Sequence, residues 1–272
     1  MDRRTLLKAA AALPALSLMG EGAASAAFPP DVRLIAHRGG VTDTGEPENS
    51  PASLEAAIDR GYWMVEVDVR RTRDGRAILQ HDPDFRRFYG VPRKVLDMDW
   101  KEIHGLRTKQ GGSRPMAFEE LCERCNGRIR LMLDVKNEPN PIGYYREMER
   151  ALVTNNLLDT SYILTDVETE RYFQGRMKQA ASIAAFRQAV ARGDGLSDLY
   201  VFDDASCFTP ETVDFVRSRQ CDLIGAANLW GYEGGNVMAR AKADLAKGYA
   251  AGVRAFQIDS VFDRFFRDRA FA

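Results

Sequence analysis

The chain lacks several features that would assign it at once to a broad class of protein. Its 272 residues carry a formal net charge of only −1 at pH 7, so there is no charge excess typical of nucleic-acid binding or of attachment to anionic membranes. No apolar run reaches the roughly 20 residues that a membrane-spanning helix needs. Hydrophobic residues make up 45% and charged residues 28%, which is ordinary for a globular protein. The length indicates one large α/β domain or two small domains.

Cysteine is also scarce, with four residues in the whole chain. Cys122 and Cys125 form a C-x-x-C motif, but they lie within a helical pattern. A structural zinc site needs a second close pair, and Cys207 and Cys221 are far apart in the sequence. We therefore expect buried thiols or one disulfide rather than a zinc site, with the pairing left open.

Residues 1–26 have the composition of an export signal. Arg3 and Arg4 precede an uncharged apolar stretch at 9–20, and Ala24-Ser25-Ala26 is a small-x-small cleavage site. The paired arginines, followed by two leucines and Lys8, resemble a bacterial twin-arginine signal, and a plain Sec signal or an N-terminal lipid-free anchor is the alternative. We expect the twin-arginine machinery to export the folded protein to the periplasm or the medium, with 27–272 as the mature domain.

Predicted strands and helices alternate along the mature domain. The predicted strands are 32–36, 64–70, 77–80, 128–136, 162–167, 181–186, 199–202, 223–227 and 253–258, and the predicted helices are 52–60, 99–106, 118–125, 144–155, 168–178, 209–219 and 236–251. Eight parallel strands with intervening helices would form a TIM (β/α)8 barrel of about 250 residues. The ninth strand, 77–80, is best explained as a hairpin arm after the Asp74-Gly75 turn. An open doubly wound sheet is the alternative, but no Gly-x-Gly-x-x-Gly follows the first strand.

Two acids share one face of the second predicted strand. Strict alternation places Glu66 and Asp68 opposite a valine-rich face. Two carboxylates about 7 Å apart repel each other unless positive charge lies between them. A divalent cation is the natural partner, because hard cations prefer carboxylate oxygens. Solvated surface is the ordinary alternative, but the apolar flanks indicate a buried strand.

Further polar residues lie at the carboxyl ends of strands, where a barrel builds its site. Asp134 and Lys136 share a face at the end of the strand at 128–136. The chain has only three histidines. Two of them, His37 and His81, lie at strand ends, and a histidine pair can act as general acid and general base near neutral pH. His104 fits an exposed position on a helix.

Six short motifs, taken in order, resemble those of the glycerophosphodiester phosphodiesterases. They are His37-Arg38-Gly39, Pro47-Glu48-Asn49-Ser50, Glu66-Val67-Asp68-Val69, Thr72-Arg73-Asp74-Gly75, His81-Asp82 and Asp134-Val135-Lys136. The resemblance is dense between 32 and 136. It implies a TIM barrel, a divalent cation (Mg²⁺ or Ca²⁺), and hydrolysis of a small-molecule glycerophosphodiester to sn-glycerol 3-phosphate and an alcohol.

The resemblance and the residue chemistry together predict a role for each site residue. His37 and His81 serve as general acid and base, in an order left open. The predicted metal ligands are Glu66, Asp68 and Asp134. The predicted substrate-binding residues are Arg38 and Lys136 for the phosphate, and Glu48 and Asn49 for the glycerol-like end or as support for the metal ligands.

Two departures from the family pattern leave the substrate class open. Asp134 stands where the family usually has Glu, and Asp259 ends the last strand without the family's Thr and Pro. A lysophospholipase D, or a phospholipase of the phosphoinositide or sphingomyelin type, is the alternative in the same barrel. It predicts an apolar mouth near the loop after Asn228 or near Phe262, Phe265 and Phe266. Trp230 and Tyr232, in the loop after Asn228, are expected to line the pocket for the alcohol group or to form a plain hydrophobic rim. A non-catalytic periplasmic phosphodiester-binding protein is a third hypothesis, which the two histidines disfavour.

Overall fold

The computed structural model describes residues 28–271 except Thr44, Glu46, Gln110, 137–139, Asp166 and Glu233. The predicted export signal at 1–26 lies outside the described residues. Among the helices that are described, none is both long enough and apolar enough to cross a membrane.

The described residues form eleven strands and ten α-helices. The strands are β1 (Arg33–Ala36), β2 (Met64–Arg71), β3 (Ala77–Leu79), β4 (Asp84–Phe85), β5 (Val91–Lys94), β6 (Arg130–Val135), β7 (Tyr162–Thr165), β8 (Lys178–Ala181), β9 (Leu199–Asp204), β10 (Asp222–Ala227) and β11 (Ala255–Ile258). The helices are α1 (Pro51–Asp59), α2 (Arg86–Tyr89), α3 (Trp100–His104), α4 (Phe118–Cys125), α5 (Ile142–Thr154), α6 (Val167–Phe173), α7 (Ile183–Arg192), α8 (Pro210–Arg217), α9 (Val237–Ala251) and α10 (Arg264–Arg267).

Eight of the described strands close into a parallel barrel. Their order around the ring is β1, β2, β6, β7, β8, β9, β10 and β11. The ring closes because β1 pairs in parallel with β2 on one side and with β11 on the other, through Ile35↔Met64 and Arg33↔Ala255. The predicted TIM barrel is therefore confirmed.

The ninth predicted strand lies outside the ring, as expected. β3 pairs antiparallel with the carboxyl end of β2, with Val69 opposite Leu79. This hairpin brings the segment after β3 to the mouth of the barrel, so that His81 lies beside the end of β2.

Three parts of the secondary structure differ from the prediction. The strand predicted at 181–186 is wrong, because Ser182 caps α7 by accepting a hydrogen bond from the Ala185 N–H, and only Ala181 belongs to a strand. Ile183, Phe186 and Ala189 have helical spacing, and this periodicity prevails over local strand propensity. The helix predicted at 168–178 ends at Phe173. The small hairpin of β4 and β5, with α2 at its tip, was not predicted.

Six large side chains fill the lower part of the barrel interior: Ile35, Met64, Met132, Tyr162, Tyr200 and Ile224. The Tyr200 hydroxyl donates to the Ile163 carbonyl at 2.9 Å, which satisfies its polar atom inside this core. A second, larger core lies between the barrel and its surrounding helices. This apolar layer separates the polar residues at the carboxyl end of the barrel from a second polar group at the amino end, where Asp222 accepts from the Tyr162 hydroxyl at 2.7 Å and pairs with Lys178.

All four cysteines are free thiols. Cys122 and Cys125 are buried on α4, and burial raises the pKa of both thiols. This outcome agrees with the expectation of buried thiols for that pair and excludes a disulfide in this structure.

Candidate active site

Three acids meet at the barrel mouth because strand register aligns them. Glu66 and Asp68 project inward from β2 and are each only 1% exposed. Asp68 pairs in register with Asp134 on the neighbouring β6. One carboxylate oxygen from each of these acids lies within 4.8 Å of the others. We call Glu66, Asp68 and Asp134 the acid cluster.

The acid cluster carries more negative charge than its protein neighbours neutralise. The Lys136 ammonium lies 2.5 Å from Asp68 Oδ1 and 2.7 Å from Asp134 Oδ2. Burial raises the pKa of Asp68, but the nearby charges of Lys136 and His81 outweigh it and hold that pKa below its ordinary value. Burial and the charge of Asp68 raise the pKa of Glu66. The oxygen-only donor set and its unbalanced charge suit a hard divalent cation, so these residues could hold one.

His37 is held by a carboxylate that the sequence analysis did not assign to the site. Its Nδ1 lies 2.9 Å from Oδ1 of Asp259, which directly follows β11, and its Nε2 lies 3.9 Å from Glu66 Oε2. The other oxygen of Asp259 accepts the Leu229 N–H at 2.6 Å. Burial lowers the pKa of His37, but the hydrogen bond to Asp259 and the charge of Glu66 outweigh it and raise that pKa.

His81 belongs to a second charged network on the other side of the mouth. Its Nδ1 lies 2.9 Å from Asp82 Oδ1. Arg87, on α2, donates from Nε to Asp82 at 2.7 Å and from Nη1 to Glu48 at 3.0 Å. Arg70 fixes the backbone by donating to the His81 carbonyl at 3.1 and 2.9 Å. Asp82 and Arg87 were not predicted as site residues.

The loop after β1 is bent so that its backbone faces the acid cluster. Arg38 and Asn49 both have left-handed φ values, of 53° and 55°. The Arg38 N–H donates to Glu66 Oε2 at 2.8 Å, and Asn49 Nδ2 donates to Asp68 Oδ2 at 2.8 Å. Gly39, at φ +78°, lies so close that an added Cβ would be 2.5 Å from Asn49 Cα. Asn49 therefore supports the acid cluster, one of the two roles predicted for it.

Arg38 and Glu48 lie farther out at the same mouth. Arg38 Nη1 donates to Glu48 Oε2 at 3.2 Å, and Arg38 Nε is buried without a hydrogen-bond partner in the described part of the chain. Glu48 shares its carboxylate between Arg38 and Arg87 and lies beside His81, within 4.8 Å of its ligand atom. An unsatisfied, buried guanidinium N–H fits the predicted role of Arg38 in binding an anion.

The two histidines approach the same acid. The charge of Asp68 contributes to raising the pKa of His37, and His81 contributes to lowering that of Asp68. The third histidine, His104, is exposed on α3 against Trp100, as expected. The structure thus brings every residue predicted for the site to one end of the barrel, and the chemical roles of these residues stay predictions.

The predicted apolar rim is present only in part. Leu229 and Trp230 follow β10 and are 49% and 66% exposed. Tyr232 is buried and packs edge-on against Phe262, with ring centroids 6.0 Å apart. Phe262 and Phe266 are core residues, so the rim predicted at 262–266 is wrong there.

Residues 37–154 match the family described as the glycerophosphoryl diester phosphodiesterase family. This matched segment contains every residue of the predicted site. The match covers somewhat less than half of the chain, and over this segment the chain is similar to that family. It is 27% identical over 161 residues to Probable glycerophosphodiester phosphodiesterase 2 of Mycobacterium tuberculosis, covering 59% of this chain and 56% of that one. The chain thus spans about half the length of that curated relative.

Solved structures share the fold over nearly the whole chain. A glycerophosphoryl diester phosphodiesterase from Parabacteroides distasonis superposes with a TM-score of 0.67 at 20% identity, over 91% of this chain and 88% of that one. A phosphodiesterase from Oleispira antarctica, solved in complex with the product sn-glycerol-3-phosphate, superposes with a TM-score of 0.62 at 16% identity, over 89% and 97% of the two chains. At these identities the similarity establishes the barrel fold and nothing finer.

Proposed function

We propose that this protein belongs to the glycerophosphoryl diester phosphodiesterase family and hydrolyses glycerophosphodiesters to sn-glycerol 3-phosphate and an alcohol. One observation carries the proposal: two histidines, each fixed at Nδ1 by its own carboxylate 2.9 Å away, flank a buried acid cluster. The product complex of the Oleispira antarctica phosphodiesterase supports the same substrate class.

His37 and His81 each carry out one of the two proton transfers of the reaction. One imidazole accepts the proton of the attacking oxygen, from water or a neighbouring substrate hydroxyl. The other protonates the alkoxide that leaves as its P–O bond breaks. Because Asp259 and Asp82 occupy the Nδ1 atoms, the Nε2 atoms of His37 and His81 are the ones left to act.

The phosphate is bound by charge on both sides of the histidines. Arg38 offers its unpartnered, buried Nε, and Lys136 supplies a point charge beside the acid cluster. A divalent cation on the acid cluster, Mg²⁺ or Ca²⁺, would neutralise the acids and stabilise the developing phosphoryl charge.

The direct test is product analysis on purified protein. Glycerophosphocholine and glycerophosphoethanolamine should give sn-glycerol 3-phosphate, EDTA should stop the reaction, and Mg²⁺ or Ca²⁺ should restore it. His104→Ala is the matched control, because this histidine is exposed on α3, where its ring packs against Trp100. Unchanged rates in His81→Ala would remove the acid–base proposal, and full activity in EDTA would remove the metal-ligand proposal.

A lysophospholipase D activity is the second candidate, favoured by the exposed Leu229 and Trp230. Their turn is tied to the site, since the Leu229 N–H binds the same carboxylate that holds His37. A lysolipid tail would cover this apolar surface. If this candidate is right, the rate of lysolipid hydrolysis rises with acyl-chain length, and Trp230→Ala removes that dependence. Equal rates for all chain lengths, and no cleavage of sphingomyelin or phosphoinositides, favour glycerophosphodiester hydrolysis instead.

We further propose that the twin-arginine machinery exports the protein to the periplasm or the medium. The support is the sequence pattern of Arg3, Arg4 and the apolar stretch after them. Replacing both arginines by lysine should leave the protein in the cytoplasm. Export that survives this change, and that stops when the Sec pathway is blocked, would assign a Sec signal instead.

A further inference from the structure

Asn228 is a buried amide at the barrel mouth that neither the sequence motifs nor the proposed chemistry uses. It directly follows β10 and is only 7% exposed. Ile224, on the same strand, packs in the barrel interior. Because side chains alternate along a strand, Ala226 and Asn228 face the same interior side, and Asn228 lies at its carboxyl end.

Hydrogen bonds fix which way the amide points. Asn228 Nδ2 donates to Gln257 Oε1 at 3.0 Å, and Gln257 Nε2 in turn faces Met132 Sδ at 3.8 Å. This orientation places the Gln257 amino group against a weak sulfur acceptor, whereas a flipped pair would place a carbonyl oxygen there. The donor of Asn228 is therefore used within the barrel wall, and its acceptor points away from Gln257.

That acceptor is unsatisfied. Asn228 Oδ1 is buried and has no hydrogen-bond partner anywhere in the described part of the chain. Buried polar atoms are rarely left unpaired in folded proteins, because desolvation costs free energy that only a new hydrogen bond offsets. An oxygen acceptor in a buried, inward-facing position calls for a donor from a ligand or from water.

The Asn228 acceptor lies next to the residues that hold His37. The next residue, Leu229, donates its N–H to Asp259, and Asp259 holds His37. The Asn228 carbonyl accepts the Gly231 N–H at 2.9 Å, which fixes the turn. The amide is thus held one residue from the support of His37. It is neutral, so it suits an uncharged donor such as a hydroxyl, and not the phosphate, which lacks donors when ionised.

We propose that Asn228 Oδ1 accepts a hydrogen bond from a free hydroxyl of the substrate's glycerol moiety. This inference rests on the proposed function. It makes Asn228 a specificity-determining residue: a phosphodiester without those hydroxyls leaves the buried acceptor unpaired and is disfavoured.

The test removes the Asn228 side chain and the substrate hydroxyls, separately and together, and compares kcat/KM, as in a double-mutant cycle. Two activated esters are compared, glycerol 4-nitrophenyl phosphate and propyl 4-nitrophenyl phosphate, which differ only in the two hydroxyls. The proteins are wild type, Asn228→Ala and Asn228→Asp, with Asn155→Ala as control, since Asn155 caps α5 by donating to the Ala151 carbonyl. We expect Asn228→Ala to lose about 10-fold or more in kcat/KM on the glycerol ester and to change little on the propyl ester. Asn228→Asp, which keeps an acceptor, should retain part of the preference.

Two outcomes of this cycle overturn the inference. Equal losses on both esters would mean that Asn228 acts only through the fold. An unchanged preference for the glycerol ester would mean that a buried water alone occupies the acceptor.

Binding provides a readout that does not depend on turnover. Calorimetry with sn-glycerol 3-phosphate and propyl phosphate should show a preference for the former in wild type and in Asn155→Ala, and a reduced preference in Asn228→Ala. If wild type cleaves neither ester, the proposed function fails, whereas the binding comparison still decides the role of Asn228. If wild type cleaves only the glycerol ester, as attack by a substrate hydroxyl would require, the binding comparison alone decides that role. Equal affinities of wild type for sn-glycerol 3-phosphate and propyl phosphate would overturn the role proposed for Asn228.

Discussion

Asp259→Asn is the substitution that tests the support of His37 with the least change in shape. The carboxylate accepts from His37 at 2.9 Å and from the Leu229 N–H at 2.6 Å. An amide can keep the Leu229 contact with its oxygen. Its amino group would then face His37 Nδ1, and the imidazole would have to carry its proton on Nε2 instead.

This change should lower kcat strongly while leaving substrate binding nearly intact. We expect a loss of about 10²- to 10⁴-fold in kcat, the range for a misoriented general acid or base, with KM changed only a few-fold. Asp222→Asn is the matched control, because it removes a half-buried carboxylate at the amino end of β10, away from the chemistry.

The pH dependence of kcat/KM in Asp259→Asn provides a second, independent test of the role of Asp259. Burial lowers the pKa of His37, whereas Asp259 and Glu66 raise it above its ordinary value. Removing the charge of Asp259 therefore lowers this pKa, so the limb of the kcat/KM profile that belongs to His37 moves to lower pH. This direction holds whether His37 is the acid or the base. A kcat within about threefold of wild type, together with an unmoved limb, would refute the role given to Asp259.

Three further expectations concern the surroundings of the site. Removing the metal with a chelator should abolish phosphodiester hydrolysis. The melting temperature should rise when Mg²⁺ or Ca²⁺ is returned, because a ligand that binds only the native state stabilises it. An unchanged melting temperature would contradict a metal on the acid cluster. Arg87→Ala leaves Glu48 and Asp82 without their shared guanidinium. We expect kcat/KM to fall at least about 10-fold, while circular dichroism shows an intact fold. Wild-type kinetics in this variant would show that the network does not position His81. Gly39→Ala places a Cβ 2.5 Å from Asn49 Cα, whereas Gly45→Ala meets nothing within 4 Å, and both glycines have a left-handed backbone. Backbone strain of about 1–3 kcal/mol is therefore common to the two variants, and denaturant unfolding should show a larger loss for Gly39→Ala. Equal losses in the two variants would rule out the close approach as a cause.

Sequence patterns identified the residues whose positions depend on local rules. The period of two on β2 was enough to place Glu66 and Asp68 on one face. The rule that barrel sites form at the carboxyl ends of strands was enough to gather His37 and Lys136 at the same mouth. Both inferences need only a strand and its direction, and the structure agrees with both placements.

Residues that depend on ring closure or on weak local signals were missed. Asp259 reaches His37 only because β11 pairs with β1, across a sequence separation of 222 residues. Arg87 lies on a four-residue helix between two short strands, a segment with no periodicity long enough to detect. Asn228 has no charge and belongs to no motif, so only the hydrogen bonds of the folded chain show that its acceptor is unused.

The measurement that bears most directly on the site is ³¹P NMR of glycerophosphocholine incubated with wild type, His37→Ala and His81→Ala in the presence of Mg²⁺ or Ca²⁺. If the two imidazoles act as acid and base beside the acid cluster, wild type converts the diester to sn-glycerol 3-phosphate and each variant loses at least about 10²-fold in rate. Conversion by both variants at the wild-type rate, or a phosphorus product other than sn-glycerol 3-phosphate from wild type, would contradict the proposed function.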